Sequence, residues 1–303
     1  MKNTGVILLV NLWLVVFARA DQPSNTFTIA TYNVQNWVLM ERGKSANAPK
    51  PAKEREAVVR VITTARPDVL ALEEMGTTNE LAELQRALRD DKLDYPHTAW
   101  IEGVDPTRHV ALLSRFPIVE QRSRTNDTYQ LDGHAMRVSR GILDVRIQVS
   151  PTYSFRAIVV HLKSKRQTDE GDQAVMRREE ARLVRRHVEQ ILQRDPNENV
   201  VVMGDFNDST NSEAIQTITG TNSHRLFALH PRDRKGYDTT HFWKAKREFS
   251  SLDYLILSPG MSNEFITGTA QIVDPPRWLD ASDHRPVAAS FHIGDLGNAR
   301  PAR

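Results

Sequence analysis

The chain has 303 residues, 40% of them hydrophobic, a formal net charge of +2 and no cysteine. That length suits one large domain or two small ones with a sizeable core, and the missing cysteines exclude thiolate metal sites, cysteine nucleophiles and disulfides. Without its first 20 residues the chain loses Lys2 and Arg19 and balances 38 basic against 38 acidic side chains, so anion binding must come from local patches and not from a global field.

The N-terminal segment reads as a secretory signal peptide. Lys2 gives a positive start, Gly5 to Phe17 an apolar run, and Ala18-Arg19-Ala20 a small-x-small cleavage site. The alternative, an uncleaved membrane anchor, meets the objection that the run is shorter than the ~20 residues a span needs. The expectation is therefore a secreted or periplasmic protein. Its single domain occupies 21–303, with a core over about 26–292 and no stable membrane span after cleavage.

Thr26 to Tyr32 alternates as a strand, with Phe27, Ile29 and Thr31 on one face. Ala52 to Ala65 reads as a helix with Val58, Val59 and Ile62 on its apolar stripe, ended by Pro67. Asp68 to Leu72 is a short strand leading into Glu73-Glu74. Thr77 to Glu80 is a capping box opening a helix that carries Leu81, Leu84 and Leu88. Strands follow at Val110 to Leu113, Ile142 to Val149 and Phe155 to Val160, the last running into His161-Leu162-Lys163-Ser164-Lys165. Gly171 to Arg194 is a long basic helix. The remaining strands are Val200 to Met203, Leu252 to Leu257 and Pro286 to His292. This mixed order favours an α/β layered domain. Gly43 to Pro51 and the tail from Gly294 are expected to be the least ordered parts.

Six polar sites fall at the ends of these strands: Asn33, Glu74, His161, Asp205 with Asn207, Asp253, and Asp283-His284. Strand ends converge on one rim of a layered sheet protein. Carboxylate and amide oxygens are hard ligands suited to Mg²⁺, Mn²⁺ or Ca²⁺. A phosphodiester is already anionic, and attack on it adds charge to its equatorial oxygens. Cations and donors must sit where that charge grows, and a bound metal also lowers the pKa of water. Taken alone, Asp205-x-Asn207 is an ordinary turn. An EF-hand calcium loop is excluded there, because its central glycine is absent and Glu213 falls too early. Asp253 sits between apolar strand residues, where an unpaired charge is expensive, so it calls for a partner such as His284.

Together, Tyr32-Asn33-Val34, Leu72-Glu73-Glu74, His161, Gly204-Asp205-Phe206-Asn207, Asp253-Tyr254 and Ser282-Asp283-His284-Arg285-Pro286 resemble, in order, the endonuclease/exonuclease/phosphatase superfamily. The resemblance runs from about Thr26 to His292. It implies a four-layered α/β sandwich, two packed mixed β-sheets flanked by helices. It implies Glu74 as principal ligand of a divalent metal, Mg²⁺ with Mn²⁺ or Ca²⁺ as substitutes, with Asn33 and Asp283 beside it. It implies that Asp205 and Asn207 orient or deprotonate the attacking water. His284, oriented by Asp253, contacts the phosphate, and His161 stabilises charge or protonates the leaving group. Members of the family often place an arginine near Arg140 and near Arg177 and Arg178 against the substrate phosphate. For the helix arginines a solvated face is the competing reading.

The chain departs from the family where Glu73 replaces the usual glutamine. Adjacent strand residues face opposite sides, so Glu73 is either a second ligand or a core-edge acid facing away. Lys163 and Lys165 fall on alternate positions and could both meet phosphate. Arg232 to Arg247 interleaves aromatics with cations, which suits either a nucleic-acid groove or a mobile surface loop with Trp243 packed on the core. In the groove reading Lys163, Lys165, Lys244, Lys246 and Arg247 line the path. No segment reads as an exposed amphipathic hairpin that would enter a membrane. The expected activity is a secreted metal-dependent nuclease acting on DNA or RNA. The alternative is a phosphatase or phosphodiesterase on a small or lipid substrate, sphingomyelinase-like or inositol-phosphate-type. A non-catalytic module is disfavoured by the intact acid and imidazole positions.

Overall fold

A computed structural model describes residues 25–221 and 224–294; the leader at 1–20 and nearly all of the expected loose tail lie outside them. Alternation along one strand decides the layering. In β1 (Thr26–Trp37), Phe27 and Ile29 enter a core between two sheets, whereas Ala30 and Tyr32 enter a second core under helices. Period-two side chains serve both faces of a strand that is covered on both sides.

In spatial order the first sheet runs β17 (Gln271–Ile272), β18 (Val287–His292), β1, β4 (Val69–Met75), β6 (His109–Ser114), β5 (His97–Ile101). The second runs β13 (Phe227–Ala228), β16 (Asp253–Leu257), β12 (Val200–Asp205), β11 (Tyr153–His161), β10 (Ile142–Ser150), β7 (Ile118–Gln121). Both are mixed: β1 pairs with β4 and β11 with β12 in parallel, and their other neighbours are antiparallel. Three hairpins stand outside the sheets: β2 (Met40–Arg42) with β3 (Ser45–Ala48), β8 (Thr128–Leu131) with β9 (His134–Arg137), and β14 (His241–Trp243) with β15 (Glu248–Ser250).

Helices α1 (Ala52–Ala65) and α2 (Thr78–Asp90) cover the first sheet through Val58, Ile62, Leu81, Leu84 and Leu88. Helices α3 (Gln173–Arg194) and α4 (Glu213–Thr219) cover the second through Val184, Val188, Leu192 and Ile215, and α5 (Pro259–Glu264) adds Met261 to the inter-sheet core. This is the expected four-layered sandwich. Local chemistry fixes the helix ends. The α1 helix closes on Arg66, left-handed at φ 45°, whose N–H reaches Ile62 O at 2.8 Å. The capping box opens α2: Thr77 Oγ1 accepts from Asn79 N at 3.2 Å and Glu80 Oε2 accepts from Thr77 N at 2.8 Å. Asp172 opens α3 by accepting from the N–H groups of Ala174 and Val175.

Gly43 to Pro51, expected among the least ordered parts, holds a strand: Ser45–Ala48 pairs with Met40–Arg42. Its order comes from outside the local sequence. The Arg42 guanidinium donates to the carbonyls of Val38, Asn36 and Ala48, and buried Lys50 donates to Gln35 O at 2.9 Å.

Cross-strand register then carries the polar residues to one rim. His161 lies opposite Asp205 in the parallel β11–β12 pair, and Asp205 opposite Asp253 in the antiparallel β12–β16 pair. Asn33 lies opposite Glu73 across β1–β4. Gly204 precedes Asp205 with φ 138°, and a Cβ there would stand 1.9 Å from Val160 O. Only glycine allows β11 and β12 to close at this point. Gly204→Ala is expected to lower the unfolding free energy by at least about 2 kcal/mol in urea titrations; an unchanged midpoint and slope would contradict this reading of the strand pair.

Candidate active site at the seam of the two sheets

Asp205 is the point where the sheets meet. Its Oδ2 accepts from Asn33 Nδ2 of the first sheet at 3.1 Å and from Asn207 Nδ2 at 3.3 Å, while Oδ1 accepts from Asn207 N at 2.8 Å. Asn207 turns the chain at φ 52°, and its amide also donates to Leu162 O at 3.0 Å. His161 Nε2 and His284 Nε2 approach the same Oδ2, at 3.5 and 3.8 Å. All of these side chains are buried.

His284 is set by two contacts. Its N–H donates to Ser282 Oγ at 3.0 Å, and Ser282 Oγ donates to Asn33 O at 2.7 Å, which pins Ser282-Asp283-His284 to β1. Its Nδ1 meets both Asp253 oxygens, at 2.9 and 3.1 Å, and Asp253 Oδ2 accepts from Thr240 Oγ1 at 2.6 Å. The carboxylate fixes the ring's tautomer and leaves Nε2 facing Asp205.

Charge divides unequally among these groups. Burial pushes the Asp205 carboxyl up to about 7; His284 pulls it down and Asp253 pushes it further up. Burial opposes charge on His284, but Asp253 and Asp205 outweigh it and hold that imidazole well above its ordinary value. His161 moves the other way: burial, then the positive charges of Arg140, His284 and Arg108, push it well below. The site thus holds one imidazolium, one neutral imidazole and a carboxylate that can take a proton near neutral pH.

Gln35 and Asn36 tie together Asn33, Glu74 and Asp283, the oxygen corner expected to hold the metal. Glu74 sits at a bulge inside β4, left-handed at φ 58°, and its Oε2 accepts from Asn36 N at 2.9 Å. Asn33 Oδ1 accepts from Gln35 N at 3.0 Å, and Asp283 N donates to Gln35 Oε1 at 3.2 Å. Burial raises the Asp283 carboxyl above its usual range; His284 pulls it back and Glu74 raises it further. Two carboxylates that repel each other, with no basic side chain within ion-pair distance of Glu74 among the described residues, are a donor set that fits a hard divalent cation.

Glu73 faces the other way from Glu74, but into the sandwich. It is fully buried and accepts from Thr31 Oγ1 at 2.7 Å, while its second oxygen has no partner. The expectation of an acid at the core edge is corrected: alternation puts 69, 71 and 73 on the inter-sheet face. Burial raises its carboxyl well above the usual range against the Thr31 hydrogen bond, with Asp253 and Asp205 adding to it. A neutral acid there has the shape of the family's glutamine.

The expected phosphate contacts separate. Arg140 is buried, donates from Nη2 to Asp105 Oδ2 at 3.1 Å, and keeps Nε and Nη1 without partners. Lys165 pairs with Asp208 at 3.1 Å and remains half exposed. Lys163 is nearly buried and bonded to Glu170. Arg178 lies on α3, 3.1 Å from Glu213 and 3.5 Å from Glu179, and joins none of the contacts above. Its neighbour Arg177 braces the β11 loop through Asp208 at 2.9 Å and Lys163 O at 3.1 Å. Two residues escape the sequence reading. Arg108, whose Nε donates to Asn36 Oδ1 at 2.8 Å, acts on His161, and the His241 ring lies against His284, tilted at 49° with centroids 4.7 Å apart. Neither carries a sequence signal, since Arg108 arrives on the loop before β6 and His241 reaches the rim only through its bridge to His284.

His241 opens the β14–β15 hairpin, which forms one wall beside the rim. Trp243 and Phe249 on it are 47% and 57% exposed, Lys246 sits 4.3 Å from the Trp243 ring, and Phe242 stacks on Phe249. Trp243 therefore does not pack on the core; the hairpin exposes Trp243 on the face of its partner Glu248 and Phe249 on the face of its partner Phe242. Residues too far apart to show period-two alternation are paired here by the turn at Lys244 to Arg247. A cleft of about 1050 Å³ runs from Asp283 past Gln35, Asn36 and Phe242, between α1 and this hairpin.

A sequence model of the Endonuclease/Exonuclease/phosphatase family matches residues 30–284. No curated protein matches the chain in sequence. In fold it is similar to the sphingomyelinase C of Streptomyces griseocarneus, at 19% identity and TM-score 0.60 over 88% of this chain and 99% of that one. It is similar to an endonuclease/exonuclease/phosphatase family protein of Leptotrichia buccalis, at 18% identity and TM-score 0.60 over 88% and 100%. It is also similar to the human nocturnin catalytic domain with bound sulfate, at 17% identity and TM-score 0.59 over 89% and 95%.

Metal binding should separate the two neighbouring acids. In calorimetric titrations with Mn²⁺, Glu74→Gln is expected to weaken binding about tenfold or more, the loss of a charged ligand, while Glu73→Gln leaves affinity and melting temperature near those of the parent. The larger loss in the Glu73 variant would reverse the assignment.

Proposed function

This chain belongs to the Endonuclease/Exonuclease/phosphatase family, whose members are metal-dependent phosphoester hydrolases, and on that premise we propose that it is an exported nuclease cleaving phosphodiester bonds of DNA or RNA. Export rests on the leader read from residues 1–20.

The observation that carries the nucleic-acid reading is the cleft beside Asp283. Small-ligand pockets carry only a few polar groups; this cleft of about 1050 Å³ has charged residues at nine of its fourteen lining positions. Of its acids, Glu54 is paired with Lys50 and Asp280 with Arg277. Lys53, Arg60 and Lys244 have no ion-pair partner among the described residues. Glu56 and Asp283 are the other acids lining the cleft, which offers these cations to a chain of phosphates although the mature protein is neutral overall.

Asn33, Glu74 and Asp283 would hold the divalent ion, which supplies positive charge against the phosphate oxygens and acidifies bound water. The protein's own groups do the rest. Asp205, poised near neutrality, is the acceptor for the proton of the attacking water, and Asn33 and Asn207 hold its carboxylate still. His284, kept charged by Asp253, is the fixed cation and proton source beside the phosphate. The unpartnered Nε and Nη1 of Arg140 are donors left for an oxyanion, and neutral His161 offers a further N–H.

A second reading, a lipid phosphodiester, is favoured by exposed Trp243 and Phe249 on a cationic hairpin next to the same rim, since such residues settle at membrane interfaces. One assay panel separates the two: plasmid DNA, RNA, sphingomyelin vesicles and bis-p-nitrophenyl phosphate. The nucleic-acid reading predicts the highest kcat/KM on DNA or RNA. The triple variant Lys53→Ala/Arg60→Ala/Lys244→Ala should raise KM there and flatten the log–log salt slope by about 3, with bis-p-nitrophenyl phosphate barely changed. Preference for the vesicles, or equal losses on polymer and small ester, would overturn it.

A further inference from the structure

The β14–β15 hairpin places a third imidazole at the rim. His241 and His284 form an isolated antiparallel bridge, and His241 Nε2 lies 3.9 Å from Asp283 Oδ2. One ligand atom each of His241, Asp283 and His284 can be chosen so that all three lie within 4.8 Å of one another. Ligands about 2.0–2.2 Å from one ion stand at most about 4.4 Å apart, so small side-chain shifts bring these three atoms onto one ion.

The other side of each ring is already engaged. His284 Nδ1 is 2.9 Å from Asp253 Oδ2, and His241 Nδ1 is 3.0 Å from Ser250 Oγ. A ring whose Nδ1–H is taken by an oxygen can present Nε2 as a lone pair, and metal-ligating histidines are held in this way. Here two rings are held so, which leaves His241 Nε2 3.9 Å from Asp283 Oδ2 and His284 Nε2 3.8 Å from Asp205 Oδ2.

We propose that His241, Asp283 and His284 form a second divalent-cation site, made of two imidazole nitrogens and one carboxylate, that shares Asp283 with the oxygen corner of Asn33 and Glu74. The inference depends on the phosphoesterase reading only for that first corner. Imidazole suits zinc, copper, iron and nickel, and hard carbonyl and carboxylate oxygens suit magnesium and calcium. The nitrogen-rich site therefore takes Zn²⁺, Co²⁺ or Ni²⁺ in preference to Mg²⁺. An ion bound there takes the place of the Nε2 proton of His284, so that ring serves either as ligand or as proton source, not both at once. His241 comes from the hairpin that walls the cleft, so the ion also fastens that wall to the catalytic rim.

The test uses the full mature chain stripped of metal and titrated with Co²⁺ alone, followed by proton NMR and calorimetry. The expected result is two exchangeable, paramagnetically shifted imidazole N–H signals and two binding events. His241→Gln should remove one event and with it both shifted signals, Ser250→Ala should weaken that event about 10-fold or more, and Glu74→Gln should keep both signals. Absence of shifted imidazole signals in the parent chain, or an unchanged pair in His241→Gln, would overturn the proposal. If His241→Gln does not fold, the parent spectrum together with Ser250→Ala and Glu74→Gln decides. No substrate enters this measurement, so its outcome is independent of the assay panel that tests the nuclease reading.

Discussion

The carboxylate of Asp205 is the joint on which the site depends. It receives a side chain from each sheet, Asn33 from the first and His161 from the second, and it lies beside His284 from the turn that leads into β18 of the first sheet. A buried carboxylate without such partners would be strongly destabilising. Here its neighbours serve both needs: the amides and backbone N–H of Asn33 and Asn207 hold it in place, and His284 balances part of its charge. The geometry that makes the acid tolerable in the core also makes it a base near neutrality.

Three departures from ordinary strand geometry surround this joint. Gly204 takes a conformation closed to other residues and lets β11 and β12 meet. Asn207 and Glu74 both turn left-handed, at φ 52° and 58°. Each turns a side chain that would otherwise continue the alternation of its strand. Glu73 shows what alternation alone produces, a side chain sealed between the sheets. The turn at Glu74 instead brings the next carboxylate out toward Asp283. Strained residues of this kind persist where the surrounding structure over-determines them, and they gather at functional sites.

Much of this is legible from sequence because its causes are local. The α1 boundaries follow from an apolar stripe and Pro67, the start of α2 from Thr77 and Glu80, and the strand-end acids from polar residues following short apolar runs. What is not legible depends on long-range pairing. The β2–β3 hairpin is held by Arg42 reaching three carbonyls. His241 reaches the rim through a strand bridge to His284, far along the chain. Arg108 arrives on the loop before β6. Spacing points to Lys163 and the family resemblance to Arg178 as phosphate contacts, whereas acids from elsewhere, Glu170 and Glu213, are already bonded to them. Spacing reveals which residues could meet a phosphate, but not which of them the fold has already paired.

Asp205→Asn preserves shape and removes the charge that the rim is built around, so its turnover tests the role of Asp205 most directly. With folding verified by circular dichroism, hydrolysis should fall about 100-fold or more on every phosphodiester, large or small, the loss expected of a general base, while Mn²⁺ binding at Glu74 and Asp283 persists. A folded variant that turns over near the parent rate would remove Asp205 from the chemistry and with it the general-base mechanism.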